Sequence, residues 1–537
     1  VPAGVILIGR TEMGSTHAVY GLLDRLGGRW FFPGADWEDI PRRAELRLEK
    51  LDLQDAPSFR GRSIWYGWGV ACKENRTDYN DWVRRNRMGG RINRAPGHAY
   101  HNIADPEEDF DEHPEWFPLI DGERVAGGQL CLSNPQVQQR AVEYVRDRMR
   151  RHPDAALVSL SPNDGRGYCE CAECAAMGST SDQTLKFANA VARAVEGQFP
   201  DRCIGMYAYA GNCAPPHVKG HPNIIIYVAT AFIRGGYSLD QLLEGWSHQV
   251  SMMGVRDYFD VIIWSRDMPT WNVDYMKKRI PYYYERHVAS VSAEASNNWA
   301  ARGMGYWVAS RLFWNAYADA DAAVEEFYTR CYRDAAPAMR TYYEMWRESR
   351  DVSPPRLLEA HGRLAEAVRL AGDDPVARRR VDMIRLYMHW VCLYRKHLTM
   401  RAARDRVNSA QKALHLSWRM KKTNMLHTQG HWREWRMWRV PGKPPDEVIA
   451  RWRHTDEPFE FPNPEGELAV PKDTGEEAAE PEGLDMPTEQ GPALPELAEP
   501  EPPPDPEPSY DFTREEIEAM CREDIEWLNS VIDEAKE

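Results

Sequence analysis

Two acidic residues lie where catalytic chemistry is expected, because each follows or ends a run of residues typical of a β-strand. Asp164 follows ALVSLSPN, and Glu294 lies within VASVSAEASNN. Cleavage of a glycosidic bond needs a carboxylic acid that protonates the leaving oxygen and a second group that stabilises or attacks the anomeric carbon. We therefore predict Asp164 and Glu294 as the catalytic pair. The alternative for each carboxylate is a helix N-cap or an ion pair with an arginine.

Other predicted strand ends carry side chains suited to a polyhydroxylated ligand. They offer imidazoles, amides and aromatic rings, and an aromatic ring gives a wide apolar face for a sugar. Tryptophan is abundant, with 20 residues in the chain. For the histidines, hydrogen bonding within a strand end is the alternative. The predicted substrate-binding residues are His98, His101, Asn163, Tyr207, Trp264, Asp267, Asn298 and Trp299.

A cysteine-rich run, CECAEC, follows the Asp164 segment. Structural zinc usually takes four ligands from paired motifs, and no second pair has a suitable spacing. A structural metal site completed through the fold, a disulfide and free thiols stay open as alternatives. No cofactor is predicted, with structural zinc as the alternative, and the other seven cysteines, Cys131 included, are predicted to be buried thiols. The candidate metal ligands are Cys169, Cys171 and Cys174.

Short apolar runs alternate with helical segments over residues 56–350, a pattern typical of repeated βα units. We predict strands at 59–66, 91–96, 156–162, 203–209, 223–229, 258–264 and 288–293, with a short eighth at 129–133. We predict helices at 76–87, 135–151, 181–198, 238–251, 271–286 and 303–315. This order matches an α/β fold of the (β/α)8 TIM-barrel type, in which reactive residues lie at the C-terminal strand ends. An open doubly wound sheet is the alternative, but no glycine-rich nucleotide loop follows the early strands.

Smaller units flank the predicted barrel. Residues 1–55 have the pattern of a partial small α/β domain, whose natural beginning is expected upstream. Residues 351–454 are predicted to form a helical domain, and 511–537 a C-terminal amphipathic helix. Residues 455–510 are acidic and rich in proline, and we predict a disordered linker there.

The negative charge of the chain is concentrated in that linker. Between Asp456 and Glu507, 17 acidic residues stand against one lysine, which gives −16 locally and leaves +1 of the formal net charge of −15 for the rest. A nearly neutral body gives no reason to expect a nucleic-acid partner. No apolar run is long enough to span a membrane, and the glycine-rich start does not match a signal peptide.

Three longer motifs resemble a known family. GSTHAVYGLLDRLGGRWFFPG followed by APSFRGR resembles the end of the small α/β domain that precedes the barrels of bacterial family 20 hexosaminidases and family 67 α-glucuronidases. The runs EHPEWFPLIDGERVAGGQLCLSNPQV, SPNDGRGYCECAEC and EASNNWAARGMGYWVASRLFWN together resemble domain-of-unknown-function family 4838. Part of that family is classed as glycoside hydrolase family 163, the endo-β-N-acetylglucosaminidases of N-glycans. The resemblance covers about residues 4–320.

The resemblance implies a retaining glycosidase on a (β/α)8 barrel, assisted by the N-acetyl group of its substrate and secreted or periplasmic. Asp164 would orient the acetamido group, and Glu294 would be the general acid/base. Family 20 enzymes have a glutamate directly after the aspartate, whereas Gly165 stands here, which speaks against that family's type of site.

Three functions are therefore compared. The first is a hydrolase of glycans that contain N-acetylated amino sugars. The second is a carbohydrate-binding barrel without activity, in which the two carboxylates lie too far apart or point away from each other. The third is a zinc-dependent hydrolase that uses the cysteine run, although no HExxH helix is present. The expected partner is a glycan in each of the first two.

Overall fold

A computed structural model describes residues 4–42, 45, 52–90, 92, 96–349, 351–440 and 509–536. Its main sheet has six parallel strands in the order β3-β10-β9-β8-β7-β6, and two short antiparallel pairs, β1-β2 and β4-β5, lie outside it. The strands are β1 (Arg29–Trp30), β2 (Glu38–Asp39), β3 (Gly61–Tyr66), β4 (Leu119–Ile120), β5 (Glu123–Arg124), β6 (Leu157–Ser159), β7 (Cys203–Ala208), β8 (Ile224–Ala229), β9 (Met252–Tyr258) and β10 (Ser290–Ala295).

Helices cover the main sheet and continue beyond it. Up to residue 314 they are α1 (Glu12–Arg25), α2 (Lys73–Arg85), α3 (Pro106–Asp109), α4 (Pro135–Arg151), α5 (Ala172–Ala176), α6 (Thr180–Val195), α7 (Leu239–Ser247), α8 (Ile262–Ser265), α9 (Val273–Glu285) and α10 (Trp299–Trp314). The later helices are α11 (Ala320–Tyr332), α12 (Ala336–Glu348), α13 (Pro354–Ala371), α14 (Pro375–Thr399), α15 (Ala403–Arg419), α16 (Thr428–Arg433) and α17 (Arg514–Glu534). The predicted start of α4 is confirmed, because Asn134 caps it and a proline opens its first turn.

The six strands form a strongly curled sheet of half-barrel shape. Strand β8, with the sequence IIIYVA, is buried along its whole length, as expected for a parallel strand covered on both faces. The Tyr227 hydroxyl on β8 donates to Ser290 Oγ on β10 at 2.9 Å, although β9 lies between them. In a flat sheet such strands would be about 9–10 Å apart. Gly254 on β9 permits this crossing, since a Cβ there would lie 2.6 Å from the Tyr227 ring.

Residues between the two edge strands contact both of them. Gly89 forms an antiparallel bridge with Arg62 of β3, and His98 forms a parallel bridge with Ser161 just after β6. The predicted strand at 91–96 lies mostly outside the described residues. The predicted strand at 129–133 is wrong, because the backbone of this segment bonds to loops rather than to a strand. The described residues therefore show a six-stranded parallel half-barrel, and the eight-stranded closure is not seen in them.

One further strand prediction differs from the structure. The run predicted as a strand at 258–264 contains the last residue of β9 and then helix α8. Strand β9 ends because the backbone N–H groups of Phe259 and Asp260 both turn to the carbonyl of Glu294. In the region predicted as a partial small α/β domain, residues 4–9 form no strand.

The segment after the half-barrel is mainly helical as far as Trp438, as predicted. The Trp-rich run HWREWRMWR packs into this region, with Trp432, Trp435 and Trp438 buried. Helix α17 docks against α13 and α14, where the Asp524 carboxylate lies 2.9 Å from His389 Nδ1. Most of the predicted linker at 455–510 lies outside the described residues. Within the described part of the chain, no helix has the length and apolar character needed to cross a membrane.

Removal of one apolar anchor tests the docking of α17. Leu528 is fully buried on this helix, so Leu528→Ala is expected to lower the free energy of unfolding by about 2–5 kcal/mol. The measurement is urea unfolding followed by tryptophan fluorescence. The control is Glu526→Ala, on the exposed face of α17, which should change stability by about 0.5 kcal/mol or less. Equal stability of the two variants would contradict the docking.

Candidate active site

An ion pair lies near the C-terminal ends of two adjacent strands. Arg256 of β9 donates from Nη2 to Glu294 Oε2 of β10 at 2.6 Å, and both side chains are largely buried, with 9% and 15% of their surface exposed. Strand alternation points both residues to the concave face of the sheet, because the register pairs Ser292 with Arg256 and Glu294 with Tyr258. Gly67 leaves room for the carboxylate, since a Cβ there would lie 2.9 Å from Glu294 Oε1.

The surroundings of Glu294 shift its pKa. Burial is the main cause that raises the pKa of Glu294 above its ordinary value. The contact with Arg256 opposes this shift, whereas the negative charges of Asp164 and Asp260 add to it. A glutamic acid that keeps its proton to a higher pH is suited to act as a general acid.

Aromatic rings surround the ion pair. The Arg256 guanidinium lies 4.8 Å from the Trp65 ring centroid, 5.7 Å from that of Tyr258 and 6.0 Å from that of Tyr207. Phe232 and Trp264 extend this wall, each with its centroid 5.8 Å from that of Tyr258. Trp65 and Trp264 keep 39% and 53% of their surface exposed. The site is thus a buried ion pair beneath an open aromatic rim.

Asp164 lies in an exposed loop on the same side of the sheet. Its neighbour Asn163 is held from both sides: Asn163 N donates to Gln129 Oε1 at 2.8 Å, and Gln129 Nε2 donates to the Asn163 carbonyl at 2.9 Å. Asn163 Oδ1 also accepts from the His101 backbone N–H at 3.0 Å. The predicted residues Asn163 and His101 therefore hold the loop that carries Asp164.

His98 lies beneath this loop in a defined tautomer. Its Nδ1 is 2.6 Å from the Pro162 carbonyl, which can only accept, so Nδ1 carries the proton. Burial lowers the pKa of His98, although the Pro162 bond and the charge of Asp164 oppose the shift. The ring centroids of Tyr207 and Tyr209 lie 5.8 and 6.0 Å from that of His98. His98 is thus a neutral imidazole that links the Asp164 loop to the aromatic wall.

Three residues predicted to bind substrate lie inside the protein instead. Asp267, Asn298 and Trp299 are fully buried. The loop after β10 turns inward into α10, which is buried on nearly all sides, so the side chains at its start point away from solvent. These three predictions are corrected here, because the residues reach no open surface and hold elements together.

Their contacts show what they support. Asn298 Nδ2 donates to Asp267 Oδ1 at 2.9 Å, and Asp267 Oδ2 lies 2.7 Å from the His427 backbone N and 3.0 Å from His431 Nε2. Burial alone would raise the pKa of Asp267, but the two histidines outweigh it and hold the pKa below its ordinary value. Trp299 Nε1 donates to the Tyr66 hydroxyl at 2.8 Å. This network joins the end of β10 to the helical region.

Arg256 is the main site residue that was not predicted from the sequence. A signal for it exists, because an arginine within the apolar run MMGVRDY must find a buried partner. Tyr258 and Phe232 were also not predicted. Tyr258 is the last residue of β9, and Phe232 lies just after β8. Strand assignment at 252–258 rather than 258–264 would have included Tyr258.

The predicted metal candidates have a fourth member that spacing did not reveal. The Sγ atoms of Cys131, Cys169, Cys171 and Cys174 all lie within 4.8 Å of one another, and all four residues are buried. Cys131 is a buried thiol, as predicted, but it also joins the cluster, because the fold brings the segment before α4 against the loop after β6. Four cysteines can bind a metal ion without an open coordination position.

Comparison with known proteins gives one clear match. The sequence model of the family described as "Domain of unknown function (DUF4838)" matches residues 32–344. No curated protein matches the chain. A solved structure titled "Structure of CpGH84B" aligns with 84% of this chain and 83% of its own at 11% identity, with a TM-score of 0.30. This last similarity is too low to indicate a shared fold or activity.

Two variants test whether Asp267 supports the protein interior while Trp264 belongs to the exposed rim. Asp267→Ala leaves buried histidines and Asn298 without their acceptor and is expected to lower the free energy of unfolding by about 3–5 kcal/mol. Trp264→Ala removes only an exposed ring and should lower it by about 1 kcal/mol or less. Urea unfolding of both variants measures the difference. If Asp267→Ala lowers the free energy of unfolding only slightly, Asp267 would again be a candidate for direct contact with the ligand.

Proposed function

The chain belongs to the DUF4838 family, and we propose that it is a glycoside hydrolase acting on glycans that contain N-acetylated amino sugars. The observation that carries the proposal is Glu294, a carboxyl group whose pKa is raised by burial beneath an open aromatic rim. Glycoside hydrolysis requires a carboxylic acid that is still protonated when the substrate arrives. The rim rings Trp65 and Trp264 supply flat apolar faces for sugar rings.

Asp164 is the second carboxylate of the proposal. It lies on the same side of the sheet and is close enough for its charge to raise the pKa of Glu294. Asp164 is exposed, whereas Glu294 is enclosed, so the two environments differ. Two carboxyl groups in different environments are the arrangement in which one serves as acid and the other stays ionised.

In the proposed mechanism the substrate's own acetamido group is the nucleophile. The Asp164 side chain orients this group and stabilises the charge on its nitrogen as the carbonyl oxygen attacks the anomeric carbon. Glu294 donates its proton to the leaving oxygen as the glycosidic bond breaks. Glu294 then accepts a proton from the water that opens the cyclic intermediate, and the anomeric configuration is retained.

Arg256 has a positioning role in this scheme. Its bond fixes Glu294 Oε2, which leaves Oε1 beside Gly67 as the oxygen available for proton transfer. The same ion pair is the one observation that favours a binding function without catalysis, because an arginine stabilises the ionised carboxylate. The zinc-hydrolase alternative gains no support, since four cysteines around one ion leave no position for water.

Substitution of each carboxylate tests the proposal. Aryl β-N-acetylglucosaminides and N-glycans are incubated with wild type, Asp164→Asn and Glu294→Gln. Cleavage by wild type is expected to fall by a factor of about 100 or more in either variant, the scale of a lost general acid or base. Aryl glucosides, which lack the acetamido group, should not be cleaved if that group is the nucleophile.

The matched controls lie at the opposite ends of the same strands. Asp154→Asn precedes β6 and Glu285→Gln precedes β10, and both residues are exposed. These variants should keep the wild-type rate. If wild type cleaves no glycan but binds one in calorimetry, the hydrolase proposal is wrong and the binding function stands.

The pH dependence of the reaction tests the role of Arg256. Glu294 must be protonated to act as the acid, so kcat/KM should fall as the pH rises through its pKa, which lies above the ordinary value. Arg256 lowers that pKa. Arg256→Met is therefore expected to move the fall in kcat/KM to higher pH, besides any loss of rate. The control is Arg193→Met on the exposed side of α6. An unchanged profile, or a shift to lower pH, would contradict the assignment of Glu294 as the acid.

A further inference from the structure

Four buried cysteines from two distant segments meet beside the Asp164 loop. Cys131 precedes α4, and the other three follow β6 within the run CECAEC. Cys131 Sγ lies 3.8 Å from Cys171 Sγ and 3.9 Å from Cys174 Sγ. A disulfide would hold two sulfurs at about 2.05 Å, so none of these contacts is one.

The separations match a tetrahedral metal site. With Zn–S bonds of about 2.3 Å, the sulfurs of a tetrahedral tetrathiolate are about 3.8 Å apart. The cysteines of an iron–sulfur cluster bind different iron atoms and lie farther apart, so a single ion fits the observed spacing better than a cluster. Packing of free thiols gives no reason for four sulfurs to converge within 4.8 Å of one another.

Hydrogen-bond donors point at the same sulfurs. The backbone N–H of Leu119 donates to Cys169 Sγ at 3.3 Å, and that of Cys174 donates to Cys171 Sγ at 3.4 Å. Arg124 Nη1 lies 3.7 Å from Cys169 Sγ. Four thiolates around a divalent ion carry a net charge of −2, and donors of this kind around the ligands stabilise it.

We propose that Cys131, Cys169, Cys171 and Cys174 bind one structural zinc ion that fastens the loop carrying Asp164. Two connections run from the cluster to this loop. Gln129, two residues before Cys131, holds the Asn163 backbone through its side chain. The backbone N–H of Gln129 also donates to the carbonyl of Gly167, two residues before Cys169. The role in positioning Asp164 for catalysis rests on the proposed function, whereas the metal site does not.

The metal content of the wild-type chain is the first measurement. Full-length protein expressed with added zinc and purified with a reductant is subjected to elemental analysis. The expected result is about one zinc per chain, released when a mercurial reagent titrates the thiols. Protein expressed with cobalt should show thiolate-to-metal charge-transfer bands and the d–d bands of tetrahedral Co(II).

Cysteine variants locate the site. Cys131→Ser is expected to lose the bound zinc, whereas Cys72→Ser should keep it. Cys72 lies outside the cluster at the start of α2, where serine is a good N-cap. If Cys131→Ser does not fold, the zinc content and the cobalt spectrum of wild type still decide whether the chain binds a metal ion at a tetrahedral thiolate site. Wild type with no metal, with a disulfide among these cysteines or with iron would overturn the proposal.

Hydrogen exchange tests whether the metal ion holds the Asp164 loop in place, and it does not depend on any enzymatic activity. Removal of the ion is expected to increase exchange in residues 160–170 and to leave that of α14 unchanged. This result would hold even if the chain cleaves no glycan. Unchanged exchange in the loop after complete removal of zinc would overturn the positioning role and leave the hydrolase proposal untouched.

Discussion

The buried pair of Arg256 and Glu294 is the constraint on which the site depends. Two charges on adjacent strands are stable inside a protein only when they meet each other and further partners, because the loss of hydration is large. Here the guanidinium has the carboxylate at 2.6 Å and three aromatic rings within 6.0 Å. The curl of the sheet brings those rings together from β3, β7 and β9. The same burial raises the pKa of Glu294. The packing around the ion pair therefore also produces the property on which the proposed chemistry depends.

The helical region after the half-barrel belongs to the support of this site. Residues at the end of β10 and the start of α10 bond through Asp267 to His427 and His431, near and within α16. A second contact nearby joins Trp68 Nε1 to Glu434 Oε1 at 2.8 Å. Because the Asp267 carboxylate is fully buried, a shift of the helical region would leave it without its contacts to His427 and His431. The ends of β3 and β10 are thereby fixed from outside the sheet.

The sequence predicts the repeated βα pattern and the strand ends well, but not the direction of loop side chains. Asp164 and Glu294 are selected as candidates because residues at the ends of parallel strands converge. The same rule selected Asp267, Asn298 and Trp299, which point inward, since no period governs side chains beyond the last strand residue. Arg256 was overlooked although its charge in an apolar strand was a signal. Cys131 could not be found by spacing, because its contact with Cys169 spans 38 positions and exists only through the fold.

The two proposed catalytic groups are held in position in different ways. Glu294 lies on a central strand, where packing on both sides fixes its position. Asp164 lies on an exposed loop beyond an edge strand of the sheet, where little apolar burial is available to hold it. A site geometry precise enough for catalysis needs such a loop to be fixed by other bonds. The Gln129 side chain supplies two hydrogen bonds to the backbone of Asn163. The four cysteines lie where a metal ion would anchor both the Gln129 segment and the loop that carries Asp164. The cysteine run after Asp164 is then explained by position rather than by catalysis.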